Sequence, residues 1–247
     1  MKPYALTEIR DLTPRLRLLR FPVGQAYLWR DGSELTLIDA GAYGAGGPIA
    51  DAVRDWGHAP QDVRRIVLTH FHEDHAGGAV EFARISGAEI LAHHLDAPYI
   101  RGERPGPDPV FEDWERPIHA AALAALPAPP AHPELPSSVR ELKDGELLDG
   151  IGGGAVVVPA PGHTEGSIAL HLPHHGVLFT GDAIAASPVD SQIVLGVFNQ
   201  NRPRAVGSFH HLASLDPDLA CFGHGEPLTS DAGAALRASA ATYDLPT

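Results

Sequence analysis

A layered α/β protein is the fold class that this 247-residue sequence predicts, and three observations carry the prediction. Short β-branched and apolar runs bounded by Gly and Pro alternate with segments of helical spacing. These elements fall into two successive β-rich halves, each ending in helices, an order that stacks sheets and helices in layers. With 44% hydrophobic residues the chain can fill a full core, and one domain over residues 1–247 is expected.

The first half opens as a meander, with strands predicted over 16–21, 25–30 and 34–39 between Gly and Pro breakers. Helical spacing follows over 48–56, then a short β-branched strand over 65–69 that runs into a His-rich segment. A helix over 77–85 and a strand over 89–92 complete this half. Residues 101–137 hold nine prolines around one Ala/Leu helix, 118–126, so about 101–140 reads as an insertion or flap. After Gly152-Gly153-Gly154 come strands over 155–160, 167–172 and 177–180, and a helix over 204–215. A strand over 219–222 and a helix over 231–242 close the chain, and no short internal repeat is visible.

Composition narrows the function classes. Eighteen basic against 31 acidic residues give a net charge of −13, and only Lys2 and Lys143 are lysines, so a phosphate backbone is repelled overall. Arg15, Arg17 and Arg20, and again Arg64 and Arg65, gather without interleaved aromatics and read as solvated faces. The apolar runs fall short of the ~20 residues that span a bilayer, and charges interrupt the N-terminus, so neither a spanning segment nor a signal peptide is expected. Cys221 is the only cysteine, which excludes an intramolecular disulfide and favours a reducing compartment, the cytoplasm by default. A small-molecule substrate is the expected partner, not nucleic acid or membrane.

The chemistry concentrates at strand ends. His70, His72, Asp74 and His75 lie within six residues directly after a predicted strand, where a loop can fold the side chains toward a single point. A regular strand would point His70, His72 and Asp74 to one face, while His75 needs a turn. Neutral imidazole and carboxylate suit zinc, and also iron or manganese. Three histidines and an aspartate this close point to a metal site.

His70-x-His72-x-Asp74-His75, followed by Gly77-Gly78, resembles the signature of the metallo-β-lactamase superfamily. Pro161-Gly162-His163-Thr164-Glu165-Gly166-Ser167 is similar to its second motif, Thr180-Gly181-Asp182 to its third and Phe222-Gly223-His224-Gly225 to its last. The four occur in family order between about Val23 and Glu226. The resemblance implies a four-layer αββα sandwich and two divalent ions, zinc before iron or manganese. It implies that His70, His72 and His163 hold one ion, that Asp74, His75 and His224 hold the other, and that Asp182 bridges them. Two ions ~3.5–4 Å apart can share a water acidified toward pH ~7, so a bridging hydroxide is the expected nucleophile. Asp74 is further expected to orient that water or carry a proton. Asp39, at the end of a predicted strand, resembles the family's aspartate that supports a ligating histidine from behind.

A shared fold does not fix the reaction, so the branch is read mainly by exclusion. An aspartate at 182, where the best-known zinc β-lactamases carry a cysteine, points to the glyoxalase II, lactonase and general hydrolase branches. Glyoxalase II carries a helical C-terminal domain, whereas 21 residues follow Glu226 here, which disfavours a glutathione thioester. Acyl-homoserine lactonases place a tyrosine between the bridging aspartate and the last histidine, and none stands there. Asp96 to Glu103 is similar to a segment of the general hydrolases, so hydrolysis of an ester, thioester or lactone is expected. The alternatives are a mononuclear iron enzyme resembling the persulfide dioxygenases and a non-catalytic metal-binding module. Substrate selectivity is expected in the insertion and in 184–201. Phe111 and Trp114 are read as an apolar wall over the metals, a homodimer contact or packing of the insertion on its own body. The pairs His93-His94, His174-His175 and His210-His211 are expected to be structural or exposed, and Cys221 a buried inert thiol.

Overall fold

The computed structural model describes residues 4–245. In chain order the elements begin with β1 (Glu8–Thr13), β2 (Leu16–Arg20), β3 (Gln25–Asp31), β4 (Glu34–Ile38), α1 (Gly46–Asp55), β5 (Val63–Leu68), α2 (Glu73–Ala76), α3 (Ala79–Ser86) and β6 (Glu89–His93). Next come α4 (Ala97–Ile100), α5 (Glu115–Ala125), β7 (Arg140–Leu142), β8 (Leu147–Leu148), β9 (Ala155–Pro159) and β10 (Ile168–Leu172). The chain closes with β11 (Val177–Gly181), β12 (Ile184–Ala186), β13 (Ile193–Leu195), α6 (Arg202–Ser214), β14 (Leu219–Phe222) and α7 (Ala232–Ala240). Two compact units contain them, Met1–Pro105 with Ala120–Glu141, and Gly106–His119 with Leu142–Thr247.

The first unit is built on a seven-stranded sheet in sequence order β1 to β7. β1 to β4 are antiparallel neighbours, whereas β4, β5 and β6 run parallel. Parallel neighbours need a crossover, and α1 and α3 supply it. Their apolar faces explain the choice: Ile49 and Val53 of α1 and Phe82 of α3 pack with Leu28, Leu37 and Ile66 of the sheet in one buried cluster. Gly87, in the left-handed region at φ 77°, ends α3 by placing its N–H on Ala83 O. Because β4, β5 and β6 are parallel, their C-terminal ends share one sheet edge, and Asp39, the 69–75 loop and Asp96 follow there.

The second unit has a five-stranded sheet in the order β14-β11-β10-β9-β8 and a β12-β13 hairpin. β9, β10 and β11 are antiparallel neighbours and β11 runs parallel to β14. This arrangement gathers the end of β9, the start of β10 and the ends of β11 and β14 at one edge. Helix α6 starts at Asn201, whose side chain accepts the Arg204 N–H, with Pro at the second helical position where no donor is needed. Its Phe209 and Leu212 pack with Phe222 and with Leu236 of α7. Cys221 on β14 is buried, as expected. Among the described residues no helix is long and apolar enough to cross a membrane.

Every predicted strand and helix has a counterpart, with shifted ends, and the mixed α/β class holds. Four readings change. β1 is not among the predicted strands, because Glu8–Thr13 alternates only weakly and is half-solvated along its length. Arg17 does not lie on a solvated face: it is buried, with its guanidinium held by Asp11 at 2.6 Å and Asp55 at 3.1 Å. The predicted helix over 77–85 is α3, which starts at Ala79; a separate single turn, α2, precedes it, and Gly77 and Gly78 stand between the two, where an added Cβ would lie 2.6 Å from Glu73 O and 2.2 Å from Ala40 O. The helix of the insertion starts at Glu115, three residues before the sequence reading, and Glu115 is only 2% exposed. Phe111 packs against the His119 and Phe198 rings at 4.7 and 6.1 Å, so the insertion does pack on its own body there, while Trp114 stays exposed.

His171 on β10 gives the fold a pH dependence. Burial holds its imidazole below the ordinary value of 6.5, so the unfolded chain binds the proton more readily. Its contribution is complete above about pH 6.5 and is lost as pH falls through the lower folded value. Urea unfolding of His171→Leu from pH 7 to pH 5 should show a shallower fall in stability than the parent chain.

Candidate metal centre

In the first unit the strand β5 stops at Leu68, and the His-rich segment is a bend followed by the single turn α2, with His72 in the N-cap position. The segment is thus a loop and one helical turn and does not continue the strand, as its place after β5 led one to expect. The clustering occurs. Ligand-type atoms of His70 and His72, of His70 and His75, and of Asp74 and His75 lie within 4.8 Å of each other. His70 and His75 are fully buried, with ring centroids 4.2 Å apart.

Asp39 orders this half. It sits just past β4 in the left-handed region, φ 58°, and is buried. One carboxylate oxygen accepts the Thr69 N–H at 2.8 Å, and the Thr69 hydroxyl donates to the same carboxylate at 2.9 Å. The other oxygen lies 2.9 Å from His75 Nδ1, which must donate, since a carboxylate only accepts. With its proton given to Asp39, the Thr69 hydroxyl oxygen accepts from His70 Nδ1 at 3.1 Å. Asp39 thus fixes two imidazoles, His75 directly and His70 through Thr69, and leaves Nε2 of each as the ligand-type atom. Asp39→Asn should lower zinc affinity by about 10–100-fold in a chelator titration with little change in the fold, because a ligand's orienting partner typically has that effect.

Asp96 adds a constraint that the sequence reading does not assign. It is completely buried and accepts the Phe71 N–H at 3.1 Å, pinning the backbone between His70 and His72. Glu73 faces elsewhere: with Tyr43, Phe71, Tyr99 and Leu135 it lines a cavity of ≈ 150 Å³ that none of the four ligand-type residues reaches. Burial, and then the Asp74 charge, hold its carboxyl above the usual carboxylate range.

The second unit carries the other three residues on its shared sheet edge. His163 stands between β9 and β10, and its Nδ1 donates to Val197 O at 3.0 Å. Gly162, at φ 134°, lets the backbone approach α6 so closely that a Cβ would lie 2.2 Å from Ala205 N. Asp182 follows β11 and His224 follows β14; these parallel strands place His224 Nε2 3.1 Å from Asp182 Oδ2. His163 Nε2 lies 3.7 Å from the same oxygen. In the first unit His75 Nε2 is 3.5 Å from Asp74 Oδ2.

These separations fit a metal. Two ligands of a tetrahedral zinc with bonds of about 2.0–2.1 Å stand roughly 3.3 Å apart. Imidazoles anchored at Nδ1 by acceptors, with Nε2 turned to a carboxylate, form the donor set that divalent ions take. Fold and side chains together define a mixed α/β protein with candidate metal ligands at its strand ends.

The sequence pattern of the metallo-beta-lactamase superfamily matches residues 19–224, and the chain belongs to that superfamily. It is 28% identical over 231 residues to the probable metallo-hydrolase YqjP of Bacillus subtilis (strain 168), covering 85% of this chain and 70% of that protein. It is 28% identical over 160 residues to a hydroxyacylglutathione hydrolase of Fuscovulum blasticum, covering 64% of this chain and 47% of that enzyme. Among solved structures, a metallo-beta-lactamase family protein of Thermus thermophilus matches at 26% identity and a TM-score of 0.65, over 94% of this chain and 79% of that one. The metallo-β-lactamase SMB-1 matches at 23% identity and a TM-score of 0.70, over 97% and 94%. That second likeness shows the fold, which is the metallo-β-lactamase fold.

Proposed function

We propose that the chain is a dinuclear metal-dependent hydrolase that cleaves an ester, thioester or lactone. His70, His72 and His163 hold one ion, Asp74, His75 and His224 the other, and Asp182 is shared. Zinc is the proposed metal. The observation that carries this reading is the position of Asp182 Oδ2, 3.1 Å from His224 Nε2 and 3.7 Å from His163 Nε2. A carboxylate between two imidazoles assigned to different ions is where a bridging ligand belongs.

When bound, the ions supply Lewis acidity and acidify a water toward neutral pH. The protein's part is positional. Asp39, Thr69 and the Val197 carbonyl hold three imidazoles by Nδ1, so that Nε2 of each is fixed in direction as the ligating atom. Asp74, partly exposed beside His75, is placed to hold or pass on a proton at Oδ2. Hydrolysis of an acyl bond is supported by relatives named metallo-hydrolase and hydroxyacylglutathione hydrolase, although the chain spans about half of the latter.

The test is purified protein assayed against a panel of lactones, thioesters, phosphodiesters and β-lactams. Metal-dependent turnover concentrated in the lactones and thioesters is expected. Turnover of phosphodiesters or β-lactams alone would sink the acyl-bond assignment.

A further inference from the structure

Glu115 is a carboxylate in a proline-rich stretch, where a solvated side chain is the ordinary expectation, yet it is 2% exposed. Both of its oxygens are used. One accepts the Glu112 N–H at 2.8 Å, closing the start of α5 on itself. The other accepts the Phe198 N–H at 2.9 Å, 83 residues away in sequence. Residues 196–201 pass beneath this part of the insertion as a strap, and further bonds clamp it from the same side. Val110 N–H donates to Asn199 O at 2.9 Å, and Gln200 Nε2 donates to Pro107 O at 3.1 Å. The Phe198 ring packs on His119 at 4.9 Å and on Phe111 at 6.1 Å.

The other side of the strap holds His163. Val197 O accepts from His163 Nδ1 at 3.0 Å, Gln200 N–H donates to His163 O at 3.2 Å, and Asn201 N–H donates to Gly162 O at 2.8 Å. The peptide joining the two sides runs from Val197 C=O to Phe198 N–H, so the N–H held by Glu115 and the carbonyl that orients His163 belong to one rigid plane. Phe198 itself is at φ 60°, a conformation that a bulky residue keeps only where its surroundings enforce it.

We propose that Glu115 is a positioning residue of the metal centre: by fixing the 197–198 peptide it sets the ring orientation of His163. The insertion then does more than shape a substrate pocket, since its buried carboxylate tunes a ligand from outside. This inference rests on the reading of His163 as a metal ligand.

Zinc affinity of the full chain, measured by competition with a chromophoric chelator, tests it, with thermal unfolding followed in parallel. Glu115→Ala should bind zinc about 10–100-fold more weakly. Glu115→Gln keeps its one amide oxygen for the Phe198 N–H and gives up only the bond from Glu112 N–H, so it should bind zinc clearly more tightly than the alanine variant, a rescue that a purely structural role would not produce. Val110→Pro removes one clamping N–H at an exposed side chain and should weaken binding a few fold. Folded Glu115→Ala with unchanged affinity, or Glu115→Gln as weak as the alanine variant, overturns the proposal. If Glu115→Ala does not fold, unchanged affinity in Val110→Pro overturns it instead. His163→Ala separates the two readings: if it binds zinc normally, the ligand assignment itself fails. If it weakens zinc while the Glu115 variants do not, only the positioning role fails.

Discussion

Asp182→Ala is expected to reduce turnover by more than about a hundredfold while leaving the chain folded. Losing the partner that orients a ligand typically costs about 10–100-fold, and losing the carboxylate proposed as the bridge should cost more. The fold should survive because Asp182 lies at a sheet edge beyond β11 and contributes nothing to the apolar clusters of Leu212, Phe222 and Leu236. Circular dichroism with metal analysis separates the two effects. A native spectrum with less than one ion per chain and no hydrolysis is expected; hydrolysis near the parent rate would argue against a bridged centre.

Gly196→Ala should be the most damaging single methyl in the second unit. Its Cβ would stand 1.7 Å from Asp182 O, a backbone atom that cannot rotate away, so the segment after β13 and the 182–183 peptide must separate. That shift breaks the bond from Gly196 N–H to Ala183 O and moves the proposed bridging residue. Overpacking of this kind costs about 1–3 kcal/mol or more, which a urea midpoint resolves, and zinc affinity should fall with it. Gly207→Ala is the control. Gly207 lies inside α6 with open space around it, and there the added methyl should stabilise by up to about 1 kcal/mol.

What the sequence makes legible follows from where the information resides. Metal chemistry is written in residue type, so His70, His72, Asp74 and His75 announce themselves by spacing, and His163, Asp182 and His224 by the motifs around them. Strands with β-branched cores are equally plain. β1 is not, because a polar edge strand has only one neighbour to bury against. Asp39 can be suspected from its place after a strand, but its double role through Thr69 depends on where a hydroxyl sends its proton. Asp96 lies within the segment similar to general hydrolases, and only the fold brings its carboxylate to the Phe71 N–H. Glu115 is illegible for a simpler reason. Nothing in the sequence sets it apart from Glu112 and Asp113 just before it, and its acceptor role emerges only when residues 115 and 198 are neighbours.

The central claim is that the residues of both groups hold two ions and that hydrolysis is their work. Metal quantification of purified protein, run beside a lactone and thioester assay and an oxygen electrode, tests it most directly. About two zinc ions per chain, with acyl-bond hydrolysis and no oxygen uptake, is the predicted result. A single iron per chain with oxygen consumption would contradict it and place the protein's chemistry in oxidation.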